Sequence, residues 1–498
     1  MSDIRVTYSG LIGLGVGFAS VFTGIIFTLI VTRRLTPEEF GTWAIIGSMI
    51  SYFIIVEPII SYWSTRQIAR GEEVGKTSLI SSTIFSIGSL PIYLVLAFFV
   101  ANNTGSNINT MFLGAILLPV LFISQTLAGI NLGHKPHATS YGLLGFEIVK
   151  IPAALLLVFL LDLGVDGAIV ATLVAYLLKI IIQTHFAKSK LQKKFNTVTL
   201  RRWIKLSWIP IYSNISHLIW SLDVLIYAII IHSTIGVAIY AVSLTVANVI
   251  AHSGLVSQAL YPKLLANGKQ QYVKENFSRL LYFSIPILGI CIIFSKHALF
   301  ALNPAYQEAF LVVIFISIRT FFYVLTSVFY QVLMGIEKVD VEGNPTYSAL
   351  SKSKLFQVPT IQLVHHALYI ISLTGILIFL NWYEYSELEI VIWWAFIMVV
   401  LQIPFFIYLW ILVKKNIAFS FPLVDALKYI AATILFIIVF YLTFDFVIHY
   451  EISIYKYLPT LLAELAICIG IYIAFTFTID KKTRALFRAI LNEVSSRK

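Results

Sequence analysis

Charge is scarce in this sequence. Only 12% of its 498 residues are Asp, Glu, Lys or Arg, against roughly 25% in an ordinary soluble chain. Half the usual charge cannot cover the surface of a soluble protein this long, so secreted and ordinary cytosolic readings fall at once. Cysteine is nearly absent. Cys291 and Cys468 both lie inside apolar runs, so no disulfide framework is implied. A GxxxxGK[ST] phosphate loop is missing, so the chain is not expected to hydrolyse ATP itself. No HExxH, CxxC or paired-carboxylate spacing points to a metal or to hydrolytic chemistry, and no enzyme activity is expected. The N-terminus reads as uncleaved, because its first apolar run is too long for a signal h-region and no small-residue cleavage site follows.

What the sequence has is apolar length: 59% of its residues are hydrophobic. About 20 apolar residues cross a bilayer as a helix, and by that ruler fourteen crossings are expected. The first seven are 8–32, 42–61, 79–101, 111–131, 142–162, 165–186 and 208–232. The rest are 234–257, 280–300, 308–331, 359–381, 389–413, 426–448 and 457–479. These runs are continuous, which excludes the alternating strands of a membrane barrel. The net charge of +11 would suggest nucleic acid in a soluble chain. Here 28 of the 35 Lys and Arg fall in loops on one side, against Arg33, Arg34, Lys296 and Lys456 on the other. Such asymmetry puts both termini in the cytoplasm of a multi-pass cell-membrane protein and removes nucleic acid from the partners.

Sliding the chain by 197 residues lays crossings 1 and 2 on 7 and 8, with Trp43-Ala44-Ile45 on Tyr240-Ala241-Val242. An even number of crossings per repeat makes the repeats parallel, about an axis along the membrane normal. The expected layout is an N-lobe at 1–186, a basic cytoplasmic linker at 187–206, a C-lobe at 207–415, and two added helices with a basic tail at 416–498. Two six-helix lobes around a seam suit alternating-access transport.

Four short motifs sit at fixed places in that layout. They are Arg34-Leu35-Thr36-Pro37-Glu38-Glu39-Phe40-Gly41, Thr65-Arg66-Gln67, Ser221-Leu222-Asp223 and Asn303-Pro304-Ala305-Tyr306. Together they resemble the Wzx-type flippases of the multidrug/oligosaccharidyl-lipid/polysaccharide exporter superfamily, over crossings 1–12. That resemblance implies an all-helical fold and export of a polyprenyl-(pyro)phosphate-linked oligosaccharide for cell-surface glycan synthesis. It also implies a monomer, associating with a glycan polymerase or glycosyltransferases. No bound cofactor is expected, and a proton or sodium gradient would drive transport. The lipid II flippases of the same superfamily carry several arginines on helices 1, 2 and 8. Here crossing 1 has no charge before Arg33, and crossing 8 has none. The first motif also has a plainer reading, in which Thr36 caps a helix, Pro37 takes its first position and Glu39 completes a capping box.

Polar groups inside crossings are the remaining pointers, since a charge at a helix centre costs about 2.5–3.5 kcal/mol on insertion scales. Arg319 heads a stripe with Tyr323, Ser327 and Tyr330. Tyr212, Ser216, Trp220, Asp223 and Tyr227 share a face of crossing 7. Candidates for substrate contact are Lys150, Arg319, Tyr323, Trp220 and Tyr227, with Asp223 and Glu147 for ion coupling. Two readings stay open for Glu147 and Lys150, three residues apart: a local pair that tolerates insertion, or a phosphate-facing lysine tuned by its neighbour. Likewise, Asp223 either pairs permanently with a cation or alternates between protonated and ionised forms. His365-His366 and Asn248/His252 read as glue between helices, and Gly10, Gly13 and Gly17 as a packing face. The alternatives are a multidrug/toxin extrusion-type cation antiporter, and a membrane glycosyltransferase or ligase using a lipid-linked donor. Short outer loops argue against the last.

Overall fold

A computed structural model describes residues 23–69, 71–257, 271–337, 352–417 and 419–485, with single positions 16, 20, 260 and 264. Among the described residues the chain is helical throughout, without strands. In order the helices are α1 (23–34), α2 (Pro37–Ile54), α3 (Pro58–Ala69), α4 (Gly75–Thr104), α5 (Ile108–His134), α6 (His137–Leu160) and α7 (Gly164–Leu191). Then come α8 (Thr197–Lys205), α9 (Trp208–Ser221), α10 (Asp223–Ile231), α11 (Ile235–Ala247), α12 (Gln271–Ile293), α13 (Ser295–Leu302) and α14 (Phe310–Gly335). The last four are α15 (Lys354–Trp382), α16 (Glu387–Asn416), α17 (Leu423–Val447) and α18 (Ile454–Ile479).

Twelve spans among the described residues are long and apolar enough to cross a membrane, and α2 with α3 makes a bent thirteenth. The chain is a multi-pass membrane protein. Crossings 3–14 of the sequence each meet one span. Crossing 1, with Gly10, Gly13 and Gly17, lies mostly outside the described residues, as do much of the loop 335–356 and the tail beyond 485. Ile92, Val95, Phe98, Ile181, Ile371 and Leu442 are exposed, an arrangement that is stable only against lipid.

Two crossings depart from continuous helices for visible reasons. Crossing 2 bends by 55° at residues 55–57. Pro58 has no N–H to donate to Ile54, and its ring disfavours helical backbone at Glu57. Crossing 7 breaks at Leu222, and the Asp223 carboxylate accepts the Val224 N–H (2.8 Å) at the first turn of α10. Crossing 5 runs past Pro152 and loosens into a π-turn over Leu155–Leu160.

The chain packs as two compact units. Unit 1 comprises Met1–Ala241 and Gln362–Ile390, unit 2 Val242–Ile361 and Val391–Lys498. In unit 1, Ile60, Ile68, Leu127, Ile130 and Trp203 form a core under α3, α5 and α8. Trp203 ties the linker helix down, donating its Nε1–H to Gln67 (3.0 Å). In unit 2, Phe277, Phe329, Leu409, Tyr429, Phe436 and Tyr472 centre a large apolar cluster. There the windows of Val273–Ile293 and Pro304–Gly335 are 61% and 56% buried, while those of α17 and α18 are 22%. The first two are thus the core of unit 2, and α17 and α18 its periphery. These packing units are cut differently from the lobes 1–186 and 207–415 expected from the sequence offset.

Candidate functional site

The recurrent motifs turn out to be local devices that fix helix ends. Thr36 accepts the Glu39 N–H (3.3 Å) and Glu39 accepts the Thr36 N–H (2.9 Å), a complete capping box at α2. Gly41 has its own reason: a Cβ there would overlap the backbone of Thr234. Thr234 also donates to the Glu38 carbonyl (3.1 Å). Thr65 donates to the Gly129 carbonyl (2.8 Å) and Gln67 holds Trp203, so the second motif fastens α3 to α5 and α8. Asn303 caps Ala305 (3.0 Å), with Tyr306 buried beside it. At the 197-residue offset, Ser233 stands where Thr36 stands and accepts the Ile235 N–H (3.1 Å). Its carboxylate partner comes from α16, where Glu387 accepts the Ser233 hydroxyl and the Gly236 N–H at 2.8 Å each.

Glu147 and Lys150 are both buried and lie 2.6 Å apart. Glu147 also accepts the hydroxyls of Ser20 (2.6 Å) and Thr23 (2.5 Å). The Lys150 ammonium sits over the rings of Phe27 and Phe146, at 5.5 and 5.0 Å. This is a locally compensated pair between α1 and α6. A charge in such a site has its partner, its hydrogen bonds and a cation–π face at once.

A second constellation of unit 1 gathers around Asp223. Tyr369 and Tyr240 donate their hydroxyls to Asp223 Oδ2, at 2.9 and 3.3 Å. Trp220 stacks on Tyr369 with centroids 4.1 Å apart and an 18° tilt. His366 adjoins Trp220 and lies 2.6 Å from the Ser216 carbonyl through Nδ1. The Ser216 hydroxyl lies 2.7 Å from the same nitrogen. Ser216, Trp220 and Asp223 thus share one wall with Tyr369 and His366, as their common face in the sequence implied. Tyr227 sits elsewhere. It is fully buried, and its hydroxyl closes on Gly236, where a Cβ would have no room.

Sequence reasoning missed a buried carboxylate of unit 1. Glu57, 2% exposed, occupies the break between α2 and α3. It accepts the hydroxyls of Ser61 (2.7 Å) and Thr126 (2.8 Å), and among the described residues it has no ion pair. Its signal was Glu-Pro inside an apolar run, which reads as part of one straight helix unless the proline is weighed.

In unit 2, Arg319 is buried with its guanidinium 4.9 Å from the Tyr323 ring centroid. Tyr323, Ser327 and Tyr330 are half-buried, whereas Val324, Leu325, Val328 and Phe329 on the other faces of α14 are buried. Below the buried Arg319, the stripe expected from the sequence is therefore half-covered and lies between buried apolar residues. Behind it, Gln402 donates to Thr326 (3.2 Å). Among the described residues no group of His, Cys, Asp or Glu is arranged to hold a metal ion.

No family model and no curated protein matches this chain. Solved structures do. The fold is similar to that of the lipid II flippase MurJ in an inward closed conformation, with TM-score 0.67 and 13% identity, covering 95% of this chain and 99% of that one. It is also similar to an inward-facing multidrug resistance MATE family transporter of the MOP superfamily (TM-score 0.56, 12% identity, 81% and 98% covered). A MATE crystal structure in the bent conformation matches with TM-score 0.51 and 13% identity, over 83% and 95%. These likenesses establish the fold.

Proposed function

We propose that the protein is a flippase that carries a polyprenyl-(pyro)phosphate-linked oligosaccharide from the inner to the outer leaflet of the cell membrane, in the manner of the Wzx-type transporters its motifs resemble. One observation carries this reading over the multidrug alternative. The lipid II flippase fold accounts for 95% of the chain, whereas the multidrug transporter fold accounts for 81%. This difference in coverage supports a lipid-linked cargo over an organic cation. Both termini would be cytoplasmic, and the repeated lobes 1–186 and 207–415 would alternate in opening.

Arg319 is proposed as the phosphate contact, with Tyr323 beside it, since a guanidinium at mid-helix on a half-covered polar face is otherwise costly. Trp220 offers a ring face for sugar, and Asp223 an ionisable group next to it. Lys150 and Glu147 support each other so fully that a shared role in substrate contact requires their pairing to open. Glu57 joins Asp223 as a candidate coupling carboxylate, because hydroxyl donors hold either its neutral or its ionised form. Glycan-polymerising and glycosyltransferase enzymes would be its functional partners.

The test is export in cells that depend on the protein. Arg319→Ala should leave membrane expression near normal and abolish delivery of the lipid-linked glycan. Arg319→Lys should restore part of it, lacking the bidentate fork. Full export by the alanine variant would remove Arg319 from the substrate path.

A further inference from the structure

At the end of unit 1 away from the basic linker, four turns of chain enclose an open cavity of about 690 Å³, within the roughly 300–1,000 Å³ of small-molecule sites. They are the start of α2, the α4–α5 turn, the α6–α7 turn and Thr234. The first motif of the sequence supplies Arg34, Thr36, Glu38 and Glu39 to its wall, although capping α2 requires only Thr36 and Glu39. Backbone shape is specific here too. Asp162 (φ 51°) and Gly164 (φ 54°) both take left-handed conformations in the α6–α7 turn. A Cβ on Gly164 would stand 3.0 Å from the Glu39 carboxylate, so a glycine lets that turn close the cavity.

The chemistry of the wall is uncommitted. Among the described residues, Glu38, Asp162 and Asp166 have neither an ion pair nor a side-chain hydrogen bond, and all three are exposed to the cavity. Arg34 also has no ion pair. Its guanidinium carbon lies 3.8 Å from the centroid of the Phe159 ring, a cation–π contact that holds the group at the cavity wall. Deeper in, Thr110 is only 7% exposed and lines the cavity, and among the described residues its hydroxyl has no partner. That hydroxyl keeps accessible surface and opens onto the cavity, where a ligand or water can reach it.

We propose that this cavity is a saccharide-binding site. Free carboxylates accept from vicinal sugar hydroxyls, the fixed guanidinium donates back, and Thr110 with Asn107 can do either. The excess of carboxylates over Arg34 repels phosphate and pyrophosphate, so the site takes the sugar part of a glycan rather than its headgroup. The proposal deepens the flippase reading and rests on it for the origin of the sugar: this would be where the translocated glycan is received.

Saturation-transfer NMR tests it on the full chain in nanodiscs. The probes are free glucose, galactose, N-acetylglucosamine and glucosamine at millimolar concentration, with inorganic pyrophosphate as the competitor. At least one sugar should receive saturation, and pyrophosphate should not displace it. Glu38→Gln, Asp166→Asn and Thr110→Val should each weaken binding roughly tenfold, the effect of one lost hydrogen bond to a charged or buried group. Lys456→Gln, in unit 2, should not. Transfer to none of the four sugars, or transfer unchanged by all three variants, overturns the proposal. Flipping of a lipid-linked glycan is measured separately. Flipping without sugar binding sinks the cavity alone, and sugar binding without flipping sinks the transport reading.

Discussion

Buried charges in this protein divide by the company they keep. Lys150 and Glu147 neutralise each other and share Ser20, Thr23 and two phenyl rings. Removing one member strands the other, so Lys150→Met should lower stability in detergent by about 3–5 kcal/mol. The double variant Lys150→Met/Glu147→Leu should recover most of that loss. Recovery of stability without transport would separate a substrate role from a structural one; normal transport by the double variant would exclude the pair from the mechanism. Asp480, just past α18, is a case outside the spans. Burial alone would raise its pKa, but Lys428 at 3.2 Å and the hydroxyl and N–H of Thr483 outweigh it and hold the carboxyl below its ordinary value. A depressed folded pKa stabilises at pH above the unfolded value, near 4. That stabilisation is lost as pH falls through the folded value. Asp480→Asn should therefore flatten the acid limb of the Tm–pH curve while lowering Tm at neutral pH.

Elements were legible where composition alone decides them and obscure where a single contact does. The long apolar runs marked crossings 3–14, because lipid demands length and little else; the ninth, 280–300, was set seven residues past the span Val273–Ile293. Thr36, Pro37 and Glu39 announced the start of α2, since a capping box is a local pattern. The bend at Glu57-Pro58 was missed, because a single proline inside an apolar run was not weighed against the length of that run; that Thr126 of another helix donates to Glu57 there could not be read locally. Nor could sequence show that Gly41 abuts Thr234, or that Trp220 stacks on Tyr369, since both contacts join residues far apart in the chain. The two kinds of feature differ in consequence. Thr36→Ala should cost about 1 kcal/mol, the usual price of a helix cap. Gly41→Ala forces backbone apart and should cost about 1–3 kcal/mol, as overpacking does. Thermal unfolding in one detergent compares them; equal effects would mean that α2 and the Thr234 turn are not held as closely as they stand here.

For the whole molecule, fold, polar placement and cargo form one chain of inference. Thirteen apolar spans at most, among the described residues, pack as two units. A half-covered stripe below Arg319 and an aromatic wall beside Asp223 are their chief polar features. The wall was visible in the sequence as one helix face, but its partners Tyr369 and His366 were not, because they arrive from a helix about 150 residues later. A lipid-linked glycan is the cargo proposed for these features on a fold like that of a lipid flippase. The most direct measurement is translocation by the purified chain in liposomes. A polyprenyl-pyrophosphate-linked oligosaccharide with a fluorescent sugar is placed in one leaflet, and its arrival in the other is followed by an impermeant quencher. A fluorescent organic cation in parallel liposomes serves as the competing cargo. The account predicts movement of the lipid-linked sugar, accelerated by an imposed proton or sodium gradient and lost in Arg319→Ala, with the cation left behind. Transport of the cation and no movement of the lipid-linked sugar would contradict it.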